Sequence, residues 1–191
     1  MEVALPPDLQ NLADALDRAE ADARALVNGL TQAQGGWRAT PGSWSVAECL
    51  DHLAIGNRVY LGAMRPSAVR AQRDGRTRRG PARPGLVGGW FVRYLEPPAH
   101  VLFKSKAPRK IRPRTAPPLG EAMAAFLASQ DDLRTFLRTY ADIDLSSVHF
   151  PNPFIRGVRF SLATGLHALA AHERRHLWQA WRVRQAGEQA A

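Results

Sequence analysis

The pattern that most constrains this chain lies in residues 161–184, SLATGLHALAAHERRHLWQAWRVR. His172 and His176 fall on the apolar face of a predicted amphipathic helix, so two imidazoles one turn apart point toward the core, whereas His167 falls on the opposite face. Imidazole is the commonest metal ligand among side chains, and i,i+4 spacing lets two rings reach one ion. The apolar positions recur at spacings of three and four: Leu162, Leu166, Leu169, Ala180 and Val183. The pattern favours a helix that holds two metal ligands against a third ligand elsewhere in the chain.

Length and composition predict a single globular domain over residues 1–191. Hydrophobic residues make up 45% of the chain, and no apolar run approaches the length of about 18 residues that a membrane span needs. The first residues, MEVALPPDLQ, do not resemble a signal peptide. Cys49 is the only cysteine, which excludes an intrachain disulfide, and we expect it to be buried rather than a thiolate ligand. We therefore expect a cytoplasmic protein that does not associate with membranes.

Three further segments show helical periodicity. Together with residues 161–184 they predict an all-α four-helix bundle. Residues 72–118 are rich in proline and glycine and should form a long irregular crossover between helices two and three, with a short helix near residues 86–95. Residues 149–160, HFPNPFIRGVRF, are predicted to be a turn-rich link before Ser161, the N-cap of the last helix. The four long helices are expected at residues 8–30, 45–71, 119–140 and 161–186.

The crossover concentrates the positive charge of the chain. The formal net charge is +9, and residues 65–114 contain 14 Lys or Arg against 2 Asp or Glu. The sequence shows no recognition helix or base-stacking motif, so a solvated or ligand-facing loop is favoured over contact with a nucleic acid. The arginines could recognise carboxylate or phosphate groups of a small substrate, with Trp90 and Phe91 beside the mouth of a pocket.

The second predicted helix supplies a candidate for the third ligand. Ser45 and Glu48 have the spacing of a capping box, which marks the start of a helix. His52 follows seven residues after Ser45, at the margin of the apolar stripe, where its ring could reach a neighbouring helix. Three imidazoles from two helices leave coordination positions for water or substrate, which is typical of a catalytic metal site.

Four polar residues are candidates for contacts around this site: Glu173, Asn57, Gln130 and Gln179. Glu173 could accept the second ring N–H of a ligand histidine, or it could be a partly exposed acid paired with a basic residue. Asn57 and Gln130 occupy core positions, where they either line a polar cavity near the metal or are satisfied core amides. Gln179 could hydrogen-bond a metal-bound water or merely flank the site.

Residues 42–53, GSWSVAECLDHL, and residues 172–179, HERRHLWQ, resemble the second-helix and last-helix motifs of the DinB/YfiT-like metalloenzyme superfamily. Residues 106–113, KAPRKIRP, and residues 152–154, NPF, are similar to linkers in one branch of that superfamily. The resemblance spans roughly residues 40–180 and implies a four-helix bundle with a long crossover between helices two and three.

The same resemblance implies that His52, His172 and His176 bind a divalent metal, nickel or zinc first, with iron, cobalt or manganese as alternatives. It also implies a homodimer, which we expect to form through the helix faces that carry Trp178 or Trp181. Family members of established activity include transferases or isomerases that use low-molecular-weight thiols such as bacillithiol or mycothiol.

We therefore predict a metal-dependent enzyme, with thiol-dependent S-transfer or isomerisation of a small, anionic molecule as the leading reaction. A metal-dependent hydrolase fits the same ligands. A third interpretation is a non-enzymatic protein that binds a ligand or nucleic acid through the basic crossover.

Overall fold

The computed structural model describes residues 4–98 and 107–190, most of which are helical. The helices are α1 (Pro7–Val27), α2 (Gln32–Gly36), α3 (Val46–Arg73), α4 (Leu86–Leu95), α5 (Leu119–Thr139) and α6 (Leu162–Ala190), with a single 3₁₀ turn at Arg109–Ile111. Two short strands, β1 (His149–Pro151) and β2 (Arg159–Ser161), pair antiparallel. The mainly α-helical class is confirmed. Within the described ranges no helix is both long and apolar enough to cross a membrane.

Four long helices, α1, α3, α5 and α6, pack against one another, with α3 in contact with both α5 and α6. Their apolar side chains form two buried clusters. The first contains Met64, Phe136 and Leu166 and lies beside the strands, and the second contains Leu50 and Phe126 and lies toward the start of α3. Burial of such side chains is the main source of stability for helices that would be marginal in isolation.

A polar layer separates the two apolar clusters on three of the four long helices. On α1 the core continues without a break from Leu16 to Ala19. On the other helices the layer consists of buried or half-buried residues: Asn57 on α3, Ser129 and Gln130 on α5, and His172, Glu173 and His176 on α6. Apolar packing on both sides holds these polar groups in place, because a close-packed core resists displacement.

The first helix ends earlier than predicted. α1 stops at Val27, and Gly29 follows with a φ of +76°, a left-handed conformation that glycine adopts without strain. Thr31 then begins the separate helix α2, because its side chain and that of Gln34 form a reciprocal capping box. The predicted helix over residues 8–30 is therefore one helix plus the linker to a second, short one.

The crossover contains the short helix expected near residues 86–95, now α4. α4 packs on α6, where a Cβ at Gly88 would overlap the side chain of Thr164. Phe91 packs on Phe160 with 5.0 Å between ring centroids, so it belongs to the core rather than to a pocket mouth. Trp90 is 70% exposed. The short helix predicted within the crossover is therefore confirmed.

Residues 149–160 form more than a turn-rich link. Phe150 and Phe160 face each other across the β1–β2 pair, and both are buried. Strands of three residues are too short for an alternating pattern to predict them. The predicted N-cap is confirmed, because the Ser161 hydroxyl accepts a hydrogen bond from the N–H of Thr164 at 3.1 Å.

The two tryptophans expected at a dimer interface make contacts within the chain. Trp181 packs on the second apolar cluster and donates from Nε1 to Asp22 at 2.8 Å. Trp178 lies beneath the guanidinium of Arg182, 5.0 Å from ring centroid to Cζ. The homodimer stays a prediction.

Candidate metal centre

Three histidines from two helices meet at one end of the polar layer, which contains two of them. His52 lies near the start of α3, and His172 and His176 lie one turn apart on α6. One nitrogen from each ring lies within 4.8 Å of the other two, and the ring centroids are 4.4 to 4.9 Å apart. Bonds from zinc to imidazole nitrogen are about 2 Å long, so small rotations of the rings are enough to bring the three nitrogens to one ion. The structure therefore brings the three predicted ligands together.

The local structure at the start of α3 fixes the position of His52. Ser45 Oγ accepts from the Glu48 N–H at 3.2 Å, and the Glu48 carboxylate accepts from the Ser45 N–H at 2.9 Å, as the capping box predicts. Arg38 pairs with the same carboxylate. These contacts set where the helix begins, and the helical repeat then determines the direction of His52.

The crossover orients the ring of His52. The Asp51 carboxylate accepts from the main-chain N–H of Arg114 at 2.7 Å and from its guanidinium at 2.9 and 3.0 Å, which fastens the crossover to α3. Nearby, the carbonyl oxygen of Ile111 accepts from His52 Nδ1 at 2.5 Å. A carbonyl can only accept, so the proton is on Nδ1 and the lone pair is on Nε2. The role of Ile111 could not be predicted from the sequence, because it is the main-chain carbonyl that binds His52.

α6 orients His176 in the same way. The side-chain oxygen of Gln179 accepts from His176 Nδ1 at 3.0 Å, which again leaves the lone pair on Nε2. His172 Nε2 lies 3.0 Å from His52 Nε2. Two rings with fixed tautomers and two Nε2 atoms that face each other are what a shared cation requires. The residues present therefore fit a divalent metal.

Burial keeps all three imidazoles neutral. It lowers the pKa of His52 to about 4, although the hydrogen bond to Ile111 acts in the opposite direction. It lowers the pKa of His176 to about 3. The pKa of His172 is also lowered, mainly by burial and further by the neighbouring rings and Arg175. Neutral imidazole is the form that binds metal, so the ligands are ready at pH 7 without loss of a proton.

The site is enclosed on one side and accessible on the other. His52 is buried, whereas His172 and His176 are half-buried. Trp44 packs on His52 and His176, with centroid distances of 4.6 and 5.6 Å, and so covers part of the site. A Cβ at Gly56 would lie 3.4 Å from Cε1 of His172, so this glycine leaves room for that ring. His172 and His176 therefore keep part of their accessible surface on α6.

Glu173, Asn57 and Gln130 form a separate hydrogen-bonded cluster in the polar layer. Glu173 is fully buried, and its Oε1 accepts from Asn57 Nδ2 at 2.8 Å and from Gln130 Nε2 at 2.6 Å. Asn57 also donates to Ser129 Oγ at 3.0 Å. Burial raises the Glu173 pKa to about 7, although both amides stabilise the carboxylate.

The contact from Glu173 to a ligand ring is not formed, and neither is the alternative surface ion pair. Glu173 follows His172 by one residue, which turns its side chain about 100° round the helix, toward α5. No hydrogen bond between this cluster and the three histidines is present in the described part of the chain. Asn57 and Gln130 are core amides whose donors are used by the carboxylate.

Gln179 should contribute to metal affinity through His176. We expect Gln179→Leu to weaken metal binding by about 10-fold to 100-fold, the usual effect of removing the hydrogen-bond partner of a metal-bound histidine. Gln185→Leu is the matched control, because Gln185 is an exposed amide on the same helix. Competition with a chelator of known affinity measures both variants, and equal affinities would contradict the assignment of Gln179.

Two other groups considered from sequence have structural roles. Cys49 is buried, and burial raises the pKa of its thiol, so it is not a thiolate at neutral pH. Among the arginines of the crossover, Arg78 pairs with Asp8 and Arg114 pairs with Asp51. These two guanidiniums hold the crossover on the helices. Lys106, which begins the KAPRKIRP linker, lies outside the described residues.

Comparison with known proteins agrees with this geometry. A family model described as the DinB superfamily matches residues 15–180, a span that contains all three histidines. Neither a curated protein nor a solved structure gives a significant match. The family match covers most of the sequence and includes α3 and α5 in full and the greater part of α1 and α6. The chain therefore belongs to the DinB superfamily.

Proposed function

We propose that this protein is a four-helix-bundle enzyme that depends on a divalent metal and catalyses transfer or isomerisation with a low-molecular-weight thiol. The observation that carries the proposal is the cluster of His52, His172 and His176, whose ligand nitrogens lie within 4.8 Å of one another. Three protein ligands, rather than four, leave room for a reactant.

Nickel or zinc is the metal that we propose, since neutral imidazoles suit both, and iron, cobalt and manganese are alternatives. When bound, such an ion lowers the pKa of a thiol or a water beside it and so supplies a nucleophile at neutral pH. The protein's own part is to hold the three rings in the required tautomers. Ile111 does this for His52, and Gln179 does it for His176.

The surroundings of the histidines determine from where a reactant approaches. His52 is buried beneath Trp44 and the crossover, which block access from α3. His172 and His176 on α6 are less buried than His52. A thiol and its electrophilic partner would therefore approach the site from α6.

A thiol-consumption assay tests the reaction. Metal-loaded protein is incubated with bacillithiol, mycothiol or another small thiol and a panel of anionic electrophiles, and thiol loss and product mass are followed. We expect turnover by the wild type and by His167→Ala. The His167 ring lies away from the site and donates to the carbonyl oxygen of Ala82 at 3.0 Å. We expect no turnover by His176→Ala. Product formed without any thiol would instead identify a hydrolase, and no product by metal-loaded wild type would contradict the proposal.

A further inference from the structure

We propose that Arg175 is a substrate-binding residue that recognises an oxyanion group, carboxylate or phosphate, at the edge of the histidine cluster. This inference rests on the proposed function, because it names the chemical class of the substrate that the metal site takes.

The helix places Arg175 beside both ligands on α6. It follows His172 by three residues and precedes His176 by one, so it lies about 60° from the first and about 100° from the second around the helix axis. Glu173 lies on the other side of the pair and faces α5, where it is buried. Arg175 is half-buried and faces α4. The guanidinium and the buried carboxylate therefore lie on opposite sides of the two ligand histidines.

α4 holds that guanidinium in a fixed position. Arg175 Nη1 donates to the carbonyl oxygen of Tyr94 at 3.1 Å, and Cζ lies 5.8 Å from the centroid of the Tyr94 ring. The end of α4 is itself tied to α6 by the ion pair between Arg174 and Glu96. A guanidinium positioned before the ligand arrives loses less conformational entropy on binding, which favours affinity.

The remaining edge of the Arg175 guanidinium is the part that binds oxyanions. Nη1 is used by Tyr94, whereas Nε and Nη2 have no hydrogen-bond partner among residues 4–98 and 107–190. These two nitrogens form the side-on fork that matches two oxygens of a carboxylate or phosphate. A free, oriented fork beside a reaction centre is the expected form of a recognition group.

The charge of Arg175 is also uncompensated, unlike that of its neighbours. Arg174 pairs with Glu96, and Arg114 pairs with Asp51, but within the described residues no carboxylate pairs with Arg175. A half-buried cation without a partner is best satisfied by an anion from outside the chain.

Anion titration of cobalt-loaded protein tests the inference. Cobalt(II) reports ligand binding in its visible spectrum, and calorimetry gives the affinity for inorganic phosphate and for acetate as separate probes. We expect Arg175→Gln to weaken anion binding by about 10-fold to 100-fold, with metal content unchanged. Arg175→Lys retains the charge but loses the fork, so we expect it to fall between wild type and Arg175→Gln.

Arg182→Gln is the matched control, because Arg182 is an exposed arginine about two turns further along α6 whose guanidinium stacks on Trp178. It should bind anions like wild type. Equal affinities of wild type and Arg175→Gln, or no anion binding by wild type, would overturn the inference. Failure of the wild type to bind cobalt would overturn the proposed function instead. Anion binding that still depends on Arg175 in that metal-free protein would support the anion site on its own.

Discussion

Replacing His172 with alanine is expected to remove the metal from the protein. His172 contributes one of three ring nitrogens that lie within 4.8 Å of one another, and the remaining two cannot hold a divalent ion as tightly. Removal of the hydrogen-bond partner of a metal ligand typically weakens metal binding by about 10-fold to 100-fold, and loss of the ligand itself should weaken it more. Elemental analysis of tag-free protein after dialysis should show about one ion per wild-type chain and almost none in the variant.

The helix should survive this substitution. Alanine has the highest helix propensity, and His172 lies in the polar layer between the two apolar clusters, so the substitution leaves both clusters intact. His167→Ala is the matched control on the same helix, because the His167 ring donates to the carbonyl oxygen of Ala82, outside the cluster. A full complement of metal in His172→Ala, or an equal loss in His167→Ala, would rule out the three-histidine site.

Replacing Gln130 with leucine is expected to destabilise the fold by about 3 kcal/mol, because a buried carboxylate loses a charged hydrogen bond. Gln130 is fully buried and donates to Glu173 at 2.6 Å, and after the substitution only Asn57 still donates to that carboxylate. Leucine fills a similar volume, so a cavity is not the cause. Urea unfolding of the metal-free protein measures the change in the free energy of unfolding.

The effect should depend on the charge of Glu173. It should be larger at about pH 8 than at about pH 6, since the Glu173 pKa is raised to about 7 and only the ionised carboxylate requires both donors. In a Glu173→Gln background the penalty should shrink by about 1 kcal/mol or more. Gln10→Leu is the matched control, because Gln10 makes an exposed amide–carboxylate bond to Asp14, at 2.8 Å, and should change stability by less than about 0.5 kcal/mol. Equal penalties at Gln10 and Gln130 would contradict this account.

The positions of the metal ligands could be predicted because helix geometry converts spacing into direction. His172 and His176 share the register of Leu166 and Leu169, and the capping box of Ser45 sets the start of α3 and hence the direction of His52. Both predictions depend on local hydrogen bonds and on the helical repeat, which neighbouring residues determine.

The contacts between elements that are distant in sequence could not be predicted in this way. Glu173 faces inward, but its partner Gln130 lies on α5 and not at the metal site. The helical pattern shows that a residue faces inward but does not show which neighbouring helix it meets. The contact between Arg175 and the carbonyl of Tyr94 joins α6 to α4, and the helical pattern of α6 gives no sign of it. The β1–β2 pair was missed because Phe150 and Phe160 are the only buried side chains that face each other in strands of three residues.

The contact between Ile111 and His52 has a consequence for which changes the crossover tolerates. Any residue at position 111 offers the same carbonyl oxygen, so a substitution there does not delete the hydrogen bond to His52. The number of residues between Ile111 and Arg114, in contrast, cannot change freely. Arg114 is held in place by Asp51, which accepts from its main-chain N–H and its guanidinium. One inserted or deleted residue in this interval would move the carbonyl by about 3 Å, more than a hydrogen bond allows. The length of this short interval is therefore constrained more strictly than its composition.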